Sequence, residues 1–194
     1  MTRPVTLAVL AGGRGRRLGG RIKPLATKDG EALAARILRV LGGQVEARFL
    51  VAPPDLVSAL SPLAEVVEDP GEGPGPAVMA AAEAAKTEWL LVVAGDHVAP
   101  SAALFDALWA ARAEHDAVCV SAEGRAQGGF SLFRVSALLA QPPPEPFSLW
   151  RLFAALDTRF LPLEGLDEAA SRSLEDVDTE EDARRWGLEL PGRG

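Results

Sequence analysis

The chain has 194 residues, of which 48% are apolar and 24% charged, a globular composition that allows one substantial core. Its formal net charge of −7 argues against nucleic acid as the main partner. No apolar run approaches the roughly 18 residues of a membrane span, and no signal-peptide pattern precedes the first apolar segment. We therefore expect a cytoplasmic protein of one domain, residues 1–194, with the last few residues disordered and with no nucleic-acid or membrane partner.

The first predicted element is a buried strand over residues 5–10, which leads directly into a basic, glycine-rich loop. Residues 10–23 read LAGGRGRRLGGRIK. The glycines allow a ligand to approach the backbone closely, and the arginines and lysine suit a polyanion such as a triphosphate. Strand, glycine turn and clustered cations together predict a phosphate-binding site. The alternative is a flexible basic surface loop.

Two common phosphate-binding loops do not fit this stretch. A Walker A loop ends in Gly-Lys-Ser/Thr, whereas Lys23 is followed by Pro24. The dinucleotide fingerprint G-x-G-x-x-G, started at Gly13, requires glycine where the chain has Leu18. Pro24 also disfavours an immediate helix.

The elements that follow alternate between helices and short apolar strands. Helices are predicted over residues 31–41, 76–86, 101–113 and 148–156, and strands over 45–52, 65–67, 89–94 and 128–134. This alternation predicts an α/β fold of three layers, in which helices cover both faces of a mostly parallel sheet. The single cysteine, Cys119, lies in an apolar run, so we expect it to be buried and structural.

An acidic residue follows the strand at 89–94. Ligands of an open parallel sheet bind beyond the carboxyl ends of its strands, and Gly95-Asp96 lies at such an end. A carboxylate there suits Mg²⁺ that is bound to phosphate oxygens. Capping of the next helix is the alternative for Asp96, but Ser101 is the better N-cap because Pro100 precedes it. Asp96 is therefore a candidate metal ligand.

The two histidines are not expected to bind metal, because neither belongs to a Cys/His cluster. His97 is expected to be exposed or to pack against other residues, and His115 to be solvated. A second acidic segment, residues 175–182, reads EDVDTEED. There Asp178 or Thr179 can cap a helix that runs to residue 186, with Glu181 or Asp182 completing a capping box.

The loop pattern LAGGxGxRLGG followed by Lys23 resembles the signature of small nucleotidyltransferases that transfer a nucleoside monophosphate from an NTP. It most resembles the molybdenum cofactor guanylyltransferases, and this implies a Rossmann-like, GT-A-like nucleotidyltransferase fold. The family's loop wraps the triphosphate, with a lysine at the position of Lys23 on the phosphates. Ile22 stands where the family usually has Asp. The nucleotide-binding residues so implied in this loop are Leu10, Ala11, Gly12, Gly13, Arg14, Gly15 and Lys23.

The resemblance also covers later segments. Gly75-Pro76 resembles a segment that packs near the base, and Asp69 matches an acid beside the nucleotide, although a surface turn is an equal alternative for Asp69. Residues 175–182 resemble a terminal N-x-N-T-P-E-D motif in which aspartates replace both asparagines. Asp178 or Asp176 is therefore expected at the metal with Asp96. Residues 51–55 lack the asparagine with which the family often contacts guanine.

The resemblance implies transfer of GMP from GTP to molybdopterin with release of pyrophosphate. An ionised phosphate needs no catalytic base, and the sequence contains no obvious catalytic triad. Arg17, Lys23 and Asp96 are the expected catalytic residues: Arg14, Arg17 and Lys23 would balance the triphosphate, and Asp96 would hold Mg²⁺, the expected cofactor. Asp96 is thus also counted among the nucleotide-binding residues.

The expected small-molecule partners are GTP and molybdopterin. Transient contact with molybdenum cofactor biosynthesis proteins or molybdoenzyme chaperones is a further expectation. By family topology, residues 127–133 and the helix from Ser148 are expected on the pterin side. The alternatives are a transferase of the same fold that uses CTP or a sugar phosphate, and a nucleotide-binding module without turnover.

Overall fold

The computed structural model describes residues 2–13, 15, 18–69, 71, 73–142 and 148–192. The predicted roles of Arg14 and Arg17 concern positions outside these ranges, as does the predicted disorder of the last few residues where it falls on residues 193 and 194. The described strands are β1 Arg3–Leu10, β2 Thr27–Lys28, β3 Glu31–Ala32, β4 Val45–Ala52, β5 Val66–Glu68, β6 Trp89–Ala94, β7 Ala117–Ala122, β8 Arg125–Arg134 and β9 Thr158–Pro162.

Seven of these strands form the central sheet, in the order β5-β4-β1-β6-β8-β7-β9. The pairs β1·β4, β1·β6, β4·β5 and β7·β9 are parallel, whereas β8 is antiparallel to both of its neighbours. The predicted mostly parallel sheet is thus confirmed. The short strands β2 and β3 form a separate hairpin.

The described helices are α1 Leu33–Gly42, α2 Pro54–Leu60, α3 Pro74–Ala84, α4 Ala102–Ala111, α5 Val135–Ala140, α6 Leu149–Ala155, α7 Glu168–Arg172 and α8 Glu180–Trp186. Short 3₁₀ turns occupy Lys23–Leu25 and Leu163–Gly165. None of the helices in the described ranges has the length and apolarity that a membrane crossing requires.

Two apolar cores lie on opposite faces of the sheet because successive strand side chains alternate. In β1, Leu7 and Val9 belong to the core beneath α1 and α4, whereas Ala8 belongs to the core beneath α3, α5 and α6. Each of these three side chains is fully buried. The predicted three-layer α/β/α architecture follows from this alternation and is confirmed.

Two predicted helix caps are confirmed. The side chain of Ser101 accepts a hydrogen bond from the backbone N–H of Ala103 at the start of α4. At the start of α8, Thr179 and Asp182 form a capping box in which each side chain bonds the other's backbone N–H. Gly187 ends α8 in the left-handed conformation that glycine adopts readily.

A third, smaller cluster holds the C-terminal segment against the glycine-rich loop. We call it the C-terminal apolar cluster; its buried members are Leu18, Ala26, Leu33, Val98, Val177 and Ala183. Leu18 comes from the glycine-rich loop, Val98 from the turn after β6 and Val177 from the second acidic segment. The cluster therefore packs together the three segments that carry the predicted site.

Cys119 is fully buried in β7, as expected. Burial raises the pKa of its thiol to about 12, and hydrogen bonds with backbone groups of Gln127 and Val120 offset only part of that rise. The thiol is therefore neutral at physiological pH.

Removal of an aromatic ring from the core beneath α3, α5 and α6 tests the packing of that core. Phe133 is fully buried and stacks on Phe153 with ring centroids 5.2 Å apart. We expect Phe133→Ala to lower the free energy of unfolding by about 3–5 kcal/mol, the usual cost of deleting a core aromatic side chain. Urea denaturation measures it. Leu139→Ala, at a side chain that is 47% exposed, is the control and should change stability by no more than about 0.5 kcal/mol. Equal costs for the two variants would contradict the predicted packing.

Candidate active site

A cavity of about 250 Å³ opens at the carboxyl ends of β1 and β6. Leu10 and Ala94, the last residues of these strands, are paired in the sheet and both line the cavity. Ligands of parallel α/β sheets bind at this position. The remaining lining residues are Gly12, Gly13, Lys23, Pro24, Asp69, Gly71, Gly73, Pro74, Ala77 and Asp96.

The predicted nucleotide-binding loop contributes unequally to this cavity. Leu10, Gly12 and Gly13 line it, and no atom lies within 4 Å of a Cβ placed on Gly13, so the backbone there is open to a ligand. The N–H of Ala11 is already donated to the carbonyl of Val51 at 2.7 Å. That amide extends the pairing of β1 with β4, and the nucleotide-binding role of Ala11 stays a prediction.

Gly15 shapes the loop instead of lining the cavity. Its φ is +45°, and a Cβ at this position would lie 2.3 Å from the carbonyl oxygen of Arg21. Its own carbonyl accepts hydrogen bonds from Leu18 and Gly20. Glycine is therefore required at this position by the turn itself.

Lys23 is held between two carboxylates. Its Nζ lies 3.0 Å from Oδ2 of Asp96 and 2.6 Å from Oδ1 of Asp178. Burial works to lower the pKa of Lys23, but the two carboxylates outweigh it and raise that pKa above its ordinary value. The ammonium group is thus charged, and Lys23 lines the cavity.

Asp96 reaches the site because Gly95 allows close packing. The N–H of Gly95 donates to the carbonyl of Leu10 at 2.8 Å. A Cβ on Gly95 would lie 2.9 Å from that carbonyl oxygen and 2.9 Å from the ring of Pro24. Only glycine fits here without a shift of the backbone that carries Asp96.

The second acidic segment is brought to Asp96 by backbone pairing. The N–H of Val98 donates to the carbonyl of Glu175, and His97 and Asp176 form an isolated antiparallel bridge. As a result, ligand oxygens of Asp96, Asp176 and Asp178 lie within 4.8 Å of one another. The sequence left open whether Asp176 or Asp178 reaches a metal, and in the structure both carboxylates lie close to that of Asp96.

Three carboxylates at this spacing suit a hard divalent cation, which prefers oxygen ligands. Partial desolvation raises the pKa of Asp176, and the nearby charges of Asp96 and Asp178 raise it further. The Lys23 ammonium balances only part of the negative charge. Asp96, Asp176 and Asp178 are therefore the residues that would hold a metal ion.

Asp69 also lines the cavity and is buried. One of its carboxylate oxygens accepts the backbone N–H of Gly71, which closes a local turn. Burial raises the pKa of Asp69, although the bond from Gly71 acts in the opposite direction. Asp69 therefore forms a turn and also lines the cavity, and its place beside a nucleotide stays a prediction.

The two histidines lie away from the cavity lining. His97 is buried and packs edge-to-face on Phe130, with ring centroids 6.1 Å apart. His115 is half-buried, with Nδ1 3.2 Å from Oδ2 of Asp157. Packing was one of the two expectations for His97. His115 is partly exposed to solvent and also pairs with Asp157.

Several lining residues were not predicted from the sequence. Gly73, Pro74 and Ala77 come from the start of α3, which begins two residues earlier than predicted. The run GPGP at residues 73–76 was the available signal, because proline is common in the first turn of a helix. On the expected pterin side, Phe130 and Phe133 are fully buried in the cores, so they do not face a substrate.

Residues 7–186 match the family described as MobA-like NTP transferase domain. The chain belongs to this family. The match covers the second half of β1, the glycine-rich loop, the turn at Asp96 and the second acidic segment. The resemblance noted in the glycine-rich loop therefore extends over nearly the whole chain.

Two curated relatives carry the name molybdenum cofactor guanylyltransferase. The protein of Pseudomonas entomophila (strain L48) is 30% identical over 61% of this chain and 64% of its own length. The protein of Pseudomonas putida (strain GB-1) is 33% identical over 48% of this chain and 50% of its own length. The matches thus span less than two thirds of either relative.

A solved structure shares the fold. Molybdopterin-guanine dinucleotide biosynthesis protein A from Archaeoglobus fulgidus superposes with a TM-score of 0.76 and 22% identity, over 93% of this chain and 96% of its own. At this identity, the likeness shows a common α/β nucleotidyltransferase fold.

Neutralisation of one carboxylate tests the metal site. We expect Asp96→Asn to weaken Mn²⁺ binding by at least about tenfold, since even the neighbours of metal ligands have effects of that size. Electron paramagnetic resonance of free Mn²⁺ measures the affinity. Asp29→Asn is a matched control, because Asp29 is exposed in a hairpin turn and its positive φ of 55° is one that Asn tolerates. Equal affinities for the two variants would rule out Asp96 as a ligand.

Proposed function

We propose that this chain transfers GMP from GTP to molybdopterin and releases pyrophosphate, forming the guanine dinucleotide of the cofactor. The observation that carries the proposal is the contact of Lys23 with Asp96 and Asp178, of which Lys23 and Asp96 line the cavity. It supports the proposal because a triphosphate needs a cation and carboxylates that could hold a metal ion. Family membership and the names of the two curated relatives support the same activity.

In the proposed reaction, an acceptor phosphate oxygen forms a bond to the α-phosphorus of GTP. The bond from that phosphorus to the bridging oxygen of the β-phosphate breaks, and pyrophosphate departs with the electron pair. The acceptor is already ionised near neutral pH, so no side chain has to remove a proton. The work of the protein is then to position both substrates and to balance charge.

Each candidate residue has a role in this proposal. Lys23 contacts the triphosphate and stabilises the leaving pyrophosphate, together with Arg14 and Arg17 of the loop. Backbone groups at Leu10, Gly12 and Gly13 face the nucleotide from the cavity wall. Gly15 holds the shape of the loop, and Asp69 contacts the nucleoside.

Asp96, Asp176 and Asp178 would hold Mg²⁺ in this proposal. The ion, when bound, would neutralise charge on the phosphates and so favour departure of pyrophosphate. In this proposal the protein is an enzyme of the cytoplasm with a single domain. We also propose that the enzyme contacts, transiently, proteins that supply molybdopterin or receive the product.

The decisive experiment offers the protein each NTP in turn with Mg²⁺ and molybdopterin. A dinucleotide and pyrophosphate are expected with GTP, and chromatography with mass detection identifies the product. Formation of a product with CTP, or with a sugar phosphate as acceptor, would replace the proposal by one of the related transferases. Binding of GTP without release of pyrophosphate would indicate a nucleotide-binding module instead.

Substitution of the lysine tests its role in the reaction. We expect Lys23→Ala to lower the rate by about a hundredfold, the scale of removing one transition-state contact. Release of pyrophosphate at saturating GTP measures this rate. Lys86→Ala removes an exposed lysine that follows α3, and should leave the rate unchanged. A Lys23→Ala rate within a few-fold of that control would overturn the assignment.

A further inference from the structure

His97 neighbours the proposed metal ligands, but it is not among the residues that line the cavity. The imidazole is buried, and its Nδ1 lies 2.5 Å from the backbone carbonyl oxygen of Ser173. A carbonyl oxygen can only accept a hydrogen bond, so Nδ1 carries the proton and donates. This bond joins the turn after β6 to the residue that follows α7.

Ser173 begins the segment that delivers the other two carboxylates. Ser173 is fully buried, and its hydroxyl donates to the carbonyl of Ala169 in α7. Three residues further on, Asp176 pairs with His97 through the backbone bridge. The imidazole and the bridge therefore hold the same segment at two points.

The other ring nitrogen of His97, Nε2, lies in a space that Gly129 leaves open. A Cβ on Gly129 of β8 would lie 2.9 Å from Nε2 of His97. Glycine at 129 thus leaves room for the ring, which also packs on Phe130. The ring is confined by β8 on one side and by Ser173 on the other, so its N–H points in a fixed direction.

We propose that His97 is a positioning residue for the metal site: its Nδ1–H holds Ser173 so that Asp176 and Asp178 meet Asp96. His97 itself touches neither nucleotide nor metal. The proposal rests on the proposed metal-dependent function, and it adds a residue whose effect acts through the acidic segment. Partners behind a metal's ligands orient those ligands, and their loss commonly costs 10–100-fold in affinity or activity.

Paired substitutions separate the N–H from the ring. His97→Asn keeps a donor close to the place of Nδ1, whereas His97→Phe keeps a ring against Phe130 and has no donor. With Mn²⁺ alone as the probe, we expect His97→Phe to weaken binding by about tenfold or more and His97→Asn by less than about threefold. His115→Phe, at the chain's other histidine, is the control and should bind like the wild type.

A kinetic measurement distinguishes positioning from general stability. In the transferase assay, His97→Phe should raise the metal concentration needed for half-maximal rate, while kcat at saturating metal returns to within about threefold of wild type. A residue that only stabilises the fold would lower the unfolding midpoint and leave the metal affinity of the folded protein unchanged. That result would overturn the proposal.

A second variant keeps the test decisive if His97→Phe does not fold. Gly129→Ala leaves His97 in place but crowds Nε2, so it should weaken Mn²⁺ binding in the wild-type background. When it is combined with His97→Asn, Gly129→Ala should weaken Mn²⁺ binding little further, because the asparagine side chain has no atom at the position of Nε2. Additive effects of the two substitutions, or wild-type affinity of Gly129→Ala, would contradict the proposal, as would failure of the wild type to bind Mn²⁺. If no dinucleotide forms in any assay, the proposed function fails, while the Mn²⁺ measurements still decide the role of His97.

Discussion

The arrangement of the site depends on one contact, the ammonium of Lys23 between the carboxylates of Asp96 and Asp178. These partners lie 73 and 155 residues from Lys23 along the chain. Each charge would be unfavourable if partly buried alone, but together they offset much of that cost. The contact therefore requires the glycine-rich loop, the turn after β6 and the C-terminal acidic segment to fold against one another.

The balance of charge at this contact explains why a divalent cation suits the site. Asp96, Asp176 and Asp178 within 4.8 Å of one another carry three negative charges when ionised, and Lys23 supplies one positive charge. The remainder is two negative charges, and repulsion among the carboxylates contributes to the raised pKa of Asp176. A divalent cation balances both of these remaining charges, whereas a second lysine would balance only one of them.

Local signals made some parts of the protein predictable and left others hidden. The strands β4 and β6 match their predicted bounds, because β6 is a continuous apolar run that ends before Gly95 and β4 closes with the apolar run of residues 49–52 before Pro53. β8 runs antiparallel to β7 because a two-residue turn with positive φ at Glu123 and Gly124 joins them, and its pairing with β6 is the long-range contact. The short helices α2, α5 and α7 lack the long periodic pattern that identifies a helix. Lys23 and Asp96 could be found from the sequence because each follows a strand in a recognisable pattern. The link between His97 and Ser173 could not, since it involves a backbone carbonyl 76 residues away.

Alternation of side chains explains why the acidic segment carries two aspartates with a valine between them. In extended backbone, successive residues point to opposite sides, and Val177 is fully buried in the C-terminal apolar cluster with Leu18 and Val98. Burial of Val177 therefore turns Asp176 and Asp178 to the other side, towards Asp96. Leu18 belongs to the glycine-rich loop, so the same burial fixes the loop relative to the acids. The C-terminal apolar cluster thus determines where the ammonium of Lys23 and the carboxylates of the site lie, although none of its residues carries charge.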